Sequence, residues 1–160
     1  MAKPTAYLET TVVSYLVARP SRDVVTTALQ KMTKDWWERR RGNYELRVSD
    51  RVIRETSVGD VQMVRKRLEK LRRILALPAT DDALALAKLI VTRTGIPPKA
   101  AEDAMHIAVA ATHSIDYLVT WNCKHIANAH VIRRVGLLFA EHDLKCPVIC
   151  TPQELMEDEP

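Results

Sequence analysis

Four residues have the chemistry and the placement to form an acidic pocket: Glu9, Glu55, Asp103 and Asn122. They are spread over more than a hundred positions, so no local motif contains them. What they share is a place at the ends of expected elements. The most informative stretch is 100–122, AAEDAMHIAVAATHSIDYLVTWN. Glu102 and Asp103 open an expected helix whose next turns run apolar through Ile107, Val109 and Ala111. A short loop, His113 to Asp116, leads to an apolar strand over 117–120, and Asn122 follows at once. An acid heading a crossover helix and a polar residue just past a parallel strand can face one another. In open α/β sheets that carboxyl-end edge is where ligands bind. Oxygen donors of this type suit a hard divalent cation.

The other two acids need elements to carry them there. Thr5-Ala6-Tyr7-Leu8 reads as a first strand ending on Glu9, and Thr10-Thr11 then start a helix over Val12 to Val17. Glu45 to Val48 reads as a second strand. Ser49 caps the next helix, with Val52 and Ile53 buried and Glu55 a turn further on.

Around these, Ser21 is expected to cap a helix to about Arg41, its apolar stripe serving as core or dimer face. A helix after Gly59-Asp60 runs to about Ala76, with Val61, Val64, Leu68, Leu71 and Leu75 on one side. Ile74 to Leu77 has the composition of a short extended segment. Asp81 caps a helix to Thr94, and Gly95 fits the left-handed position after it. A helix is expected over His125 to Val135, ended by Gly136, and a last strand over Pro147 to Thr151. Strands alternating with helices argue an α/β fold with a parallel sheet covered on both faces.

The chain of 160 residues is 47% apolar and 28% charged, which fits a single globular domain over 1–156, with 157–160 as a frayed acidic tail. No stretch approaches a membrane span and no signal peptide opens the chain, so the expected compartment is the cytoplasm. Cys123, Cys146 and Cys150 fit reduced thiols. A zinc site from His142, Cys146 and Cys150 is disfavoured, because there is no CxxC pair and Pro147 breaks the helix that spacing needs. The net charge of +4 permits an anionic partner. Covalent catalysis and nucleotide binding lack their nucleophile motif and glycine-rich loop.

Taken with their contexts, the four positions resemble the PIN-domain nucleases, especially the VapC-like toxins of bacterial and archaeal toxin–antitoxin pairs. The carrying segments are Tyr7 to Thr11, Val48-Ser49 through Arg54-Glu55, Glu102-Asp103 through Ala108, Thr120-Trp121-Asn122, and Ile149 to Glu154. They follow the family's order and span nearly the whole chain. The resemblance implies a three-layer α/β/α PIN-like domain whose pocket holds one or two Mg²⁺ or Mn²⁺ ions and hydrolyses RNA, leaving a 5′-phosphate and a 3′-hydroxyl. It gives Glu9, Glu55, Asp103 and Asn122 as catalytic and metal-holding residues, with Thr11 steadying Glu9; Glu102 is a further candidate ligand, ranked below Asp103 because adjacent helix residues point about 100° apart. It implies a cognate antitoxin as partner and a homodimer. Arg65, Arg67, Lys70 and Arg73 are then candidates for contact with RNA or antitoxin, beside their plain reading as a solvated helix face.

The alternative is a catalytically weak PIN-fold module that binds RNA or protein. Its basis is that Glu9 is one methylene longer than the family's usual Asp, and Asn122 is neutral where many members have Asp. A receiver-like signalling domain ranks last, because Thr151-Pro152 stands where it would need a lysine. His106 shares the face of Asp103 and reads as a packed core histidine ahead of a partner to the acids.

Overall fold

The computed structural model describes residues 1–157 of the chain. Five strands, β1 (Thr5–Leu8), β2 (Glu45–Ser49), β3 (Leu75–Leu77), β4 (Tyr117–Val119) and β5 (Val148–Cys150), pair in parallel in the order β3-β2-β1-β4-β5. β1 is central, and Ala6, Tyr7 and Leu8 are completely buried. A continuous apolar run of this kind belongs to a strand covered on both faces.

Seven α-helices make the outer layers: α1 (Thr10–Val17), α2 (Val24–Arg39), α3 (Asp50–Thr56), α4 (Val61–Leu71), α5 (Asp81–Thr94), α6 (Ala101–Thr112) and α7 (Ala129–Glu141). Parallel strands require crossovers, and crossovers are right-handed. The chain steps from β1 through β2 to β3 in one direction, which sends α1 to α4 to one face. It then returns past β1 to β4 and β5, which sends α5 to α7 to the other. The packing agrees, with α1 against α2 and α4, and α5 against α6 and α7. The result is the expected three-layer α/β/α PIN-like architecture. Among the described residues no helix is long and apolar enough to cross a membrane.

Four expected boundaries move, each for a local reason. Asp23, not Ser21, caps α2, its Oδ2 accepting from Thr26 N at 2.8 Å, while Ser21 Oγ accepts from Asp23 N one turn earlier. α4 ends at Leu71 rather than near Ala76, because Leu75 to Leu77 leave the helix to pair with β2. Thr80 caps α5 in place of Asp81, and Asp81 and Asp82 sit in its first turn, where negative charge is favoured by the helix dipole.

The fourth shift is the largest. The helix expected over His125 to Val135 begins only at Ala129, where Asn128 Oδ1 accepts from His130 N and Val131 N. It then passes straight through Gly136 to Glu141. A helical glycine costs about 1 kcal/mol relative to alanine. Burial of Val131, Val135, Leu138 and Phe139 on the same helix outweighs that. Gly95, by contrast, follows α5 at φ 81°, as its sequence position predicts. A side chain there would also meet the guanidinium of Arg134. The expected frayed tail falls, over 158–160, outside the described residues.

Candidate functional site

In the order β3-β2-β1-β4-β5 the chain leaves β1 toward one side and β4 toward the other. The switch point therefore lies between β1 and β4, and the crevice outside their carboxyl ends is the expected ligand site. Glu9 is the residue after β1, and Thr120, Trp121 and Asn122 follow β4. Glu9 N donates to Val119 O at 3.0 Å, which locks the two strand ends together.

Glu9 is a buried acid, 3% exposed. It caps α1, and its Oε1 accepts from Thr11 N at 3.1 Å, from the Thr11 hydroxyl, and from the Thr120 hydroxyl at 2.7 Å. A carboxylate removed from water must be compensated by donors of this kind. The expected steadying by Thr11 is present. Thr120, fully buried, supplies a second hydroxyl that the sequence reading did not single out.

His106 is the hub that the sequence reading underrated. It is 1% exposed on α6. Its Nε2 lies 2.7 Å from Glu55 Oε1 and its Nδ1 lies 2.7 Å from the Tyr7 hydroxyl, which lies 2.7 Å from Ser49 Oγ. Ser49 in turn caps α3, the helix that carries Glu55. Burial drives the imidazole toward its neutral form. The hydrogen bond to Glu55 and the charges of Glu9, Glu55 and Asp103 outweigh that and raise its pKa above the usual 6.5. In the protonated form both ring nitrogens donate, Nε2 to Glu55 and Nδ1 to Tyr7, and Tyr7 donates on to Ser49.

Burial likewise raises the Glu55 carboxyl. The hydrogen bond and charge of His106, with smaller help from Thr10 and Arg51, bring it below its usual 4.5. The Tyr7 phenol moves far above its usual 10: burial dominates, Ser49 opposes, and nearby carboxylates add to the rise. Tyr7 is therefore a fixed neutral hydrogen-bonding group.

Asp103 is half-buried in the first turn of α6 and makes no hydrogen bond or ion pair among the described residues. Glu102, its neighbour, turns to Arg51 at 3.1 Å, beside the groove between α5 and α6. Adjacent helix residues diverge by about 100°, and the two acids divide accordingly. Asn122 Oδ1 accepts from His125 N at 3.0 Å, and its backbone oxygen accepts from Ile126 N and Ala127 N. It shapes the turn after β4. Its remaining polar group is the Nδ2 donor, which suits an anionic oxygen better than a cation.

The donors fit a hard divalent cation in one respect and not in another. Glu9, Glu55 and Asp103 all offer oxygen, and their charges converge on one imidazole. The Thr10 hydroxyl is buried close enough to Glu55 to help lower its pKa. Yet among the described residues no three His, Cys, Asp or Glu side chains are grouped to hold an ion by themselves.

Of the expected contact residues, Arg65 borders a groove with the end of α1, and Lys70 and Arg73 border a second cleft. Arg67 instead holds the chain after α3, donating to Thr56 O and Val58 O at 3.0 and 3.1 Å.

An acidic crevice at the switch point of a three-layer PIN-like sheet defines the structural class. A chain in the crystal structure of VapBC2 from Rickettsia felis, bound to a DNA fragment from its promoter, has the same fold. The TM-score is 0.57 at 13% identity, covering 92% of this chain and 98% of that one. At that identity the likeness is one of fold. No protein-family model and no curated protein matches the chain by sequence.

Proposed function

We propose that the chain is a metal-dependent endoribonuclease that hydrolyses RNA phosphodiesters and is silenced by an antitoxin protein. One observation carries the reading: at the carboxyl edge of the sheet the buried His106 bonds Glu55 at 2.7 Å and stands one turn after Asp103 on α6, with the buried Glu9 at the end of β1 beside the switch point. The fold shared with a VapBC2 chain supports the toxin role.

Glu55 and Asp103 have coordinating capacity to spare, and Glu9, whose three donors all bond Oε1, keeps its Oε2 for a cation. A bound Mg²⁺ or Mn²⁺ supplies phosphate charge neutralisation and acidifies water. Three donors, one of them the α1 cap bond from Thr11 N, hold Glu9 in place. His106 keeps Glu55 ionised and aimed, and Asn122 Nδ2 donates to a phosphate oxygen. The free thiols of Cys123, Cys146 and Cys150 suit a reducing cytoplasm. Val24 and Val25, exposed on α2, give a self-association face for the homodimer.

The test is cleavage of a mixed RNA pool with Mn²⁺ or Mg²⁺ against EDTA, beside Asp103→Asn. Metal-dependent cutting that vanishes in Asp103→Asn supports the reading, and cutting that survives the substitution refutes the site. The second reading, a binding module without efficient catalysis, is favoured by Asn122, whose Oδ1 is engaged by His125 N and which offers an amide donor where a carboxylate would hold a cation. It predicts no cutting and no Mn²⁺ heat by calorimetry.

A further inference from the structure

A second cleft lies at the opposite, amino-terminal edge of the sheet, and its charge is opposite too. It is built where the chain enters β2 and β3 and encloses about 370 Å³. Trp37, at the end of α2 and 6% exposed, forms part of its wall. The Arg41 guanidinium stands 4.4 Å from the centre of that ring, and Lys70 Nζ stands 5.8 Å from it. Arg73 and Arg72 line the same space. Glu69 is the one carboxylate in the lining, and it faces Arg72 at 3.8 Å. The side chains of Arg41, Lys70 and Arg73 have no hydrogen bond or ion pair among the described residues.

A solvated helix face spreads its cations apart. Here three uncompensated cations converge on a concavity, and two of them are held by an indole. A guanidinium resting on an aromatic ring keeps its N–H edge free for oxyanions and loses little further freedom on binding them. The chemistry called for is a phosphoryl oxyanion. Trp37 is too buried to stack a base, so recognition there stops at the backbone and ignores sequence. The positive track also extends along α4: Lys70 and Glu69 border an adjoining groove with Arg65, Lys66 and the last turn of α1. The first residues of that same helix flank Glu9.

We propose that this tryptophan-backed cleft binds the phosphodiester backbone of single-stranded RNA, away from the acidic crevice, and anchors the strand independently of its sequence. The biological role of that anchor rests on the nuclease reading, but the binding does not.

The experiment is anisotropy of a labelled oligouridylate in EDTA, comparing wild type with Arg41→Gln/Lys70→Gln/Arg73→Gln and with Arg93→Gln on α5 as control. Loss of three phosphate contacts should lower the slope of log affinity on log salt by about 2. Between 50 and 200 mM salt the wild type should then weaken about 20-fold more than the triple variant. Arg73→Glu alone, which leaves both contacts to Trp37 intact, should weaken binding in the same direction if the triple variant folds poorly. Equal affinity and slope in wild type and variants would overturn the proposal. So would polyglutamate displacing RNA at equal charge concentration, or uridine monophosphate binding as tightly as the oligomer. Cutting of a short oligonucleotide with Mn²⁺ separates the two readings. A triple variant that cuts and still binds RNA normally sinks the cleft alone, whereas cleft-dependent binding with no cutting by any variant sinks the nuclease alone.

Discussion

His106 Nε2 stands 2.7 Å from Glu55 Oε1 and so joins a helix of one outer layer to a helix of the other over the carboxyl edge of the sheet. The carboxylates around His106 favour its protonation against its burial, and the protonated ring is a counter-ion built into the pocket.

That pair makes stability depend on pH in both directions. Glu55 is below its usual 4.5 when folded, so its contribution is present above that value and is lost as pH falls through the folded pKa. His106 is above its usual 6.5, so its contribution is full below 6.5 and is lost as pH rises through the folded pKa. The pair stabilises most between pH 4.5 and 6.5. Urea unfolding of the metal-free protein against pH should show both losses, and His106→Gln should remove the alkaline one. An alkaline loss that persists in the variant would assign it to another group.

His106→Ala should cost about 2–4 kcal/mol, from the cavity and the broken links to Glu55 and Tyr7. Glu55 would also lose its restraint, so RNA cutting should fall in His106→Ala even where the variant is fully folded. His106→Gln should recover part of the stability. Thermal melts paired with cutting assays measure both, and full activity in the folded alanine variant would leave His106 a packing residue only.

Thr120→Val tests the mounting of Glu9. The substitution nearly preserves shape but removes a donor to Glu9 and an acceptor for Asn122 N. Destabilisation of about 1–3 kcal/mol is expected, with lower activity at temperatures where the fold is intact. Wild-type values on both counts would show that Thr11 alone suffices.

Asp116 offers the contrasting case. At the amino-terminal edge it accepts from Lys145 Nζ at 2.7 Å and from Thr5 N at 2.8 Å. These bonds, the Lys145 one first, lower its carboxyl pKa below the usual 3.8. Asp116→Asn should cost about 1 kcal/mol, since the pair is well exposed. RNA cutting and Mn²⁺ affinity should not change. A change in either would mean that the two sheet edges are coupled.

Much of this arrangement was legible in the residues. The apolar run ending on Glu9, the Ser49 cap before Glu55 and the short strand before Asn122 are local signals, and all three recur in the structure. The supporting groups are not local. His106 lies in an apolar helix, where a histidine has the sequence context of core packing. Its partners Tyr7 and Glu55 are 99 and 51 residues away. Thr120 reads only as the end of a strand until β4 is known to pair with β1. Asn128 was missed as a cap because His125 to Val135 already has helical spacing. The competing bonds of Asn122, made within the turn, delay the helix.

The bond from Thr120 to Glu9 spans 111 residues, and this has a consequence for the chain while it is being made. At ordinary synthesis speeds the interval between the two residues is on the order of ten seconds. Through most of that interval the emerging polypeptide holds Glu9 and then Glu55, while Asp103 and the strand that closes the second side of β1 come only near its end. Until then the crevice lacks one of its two walls. Whatever the crevice does begins only after β4 has been made and has paired with β1.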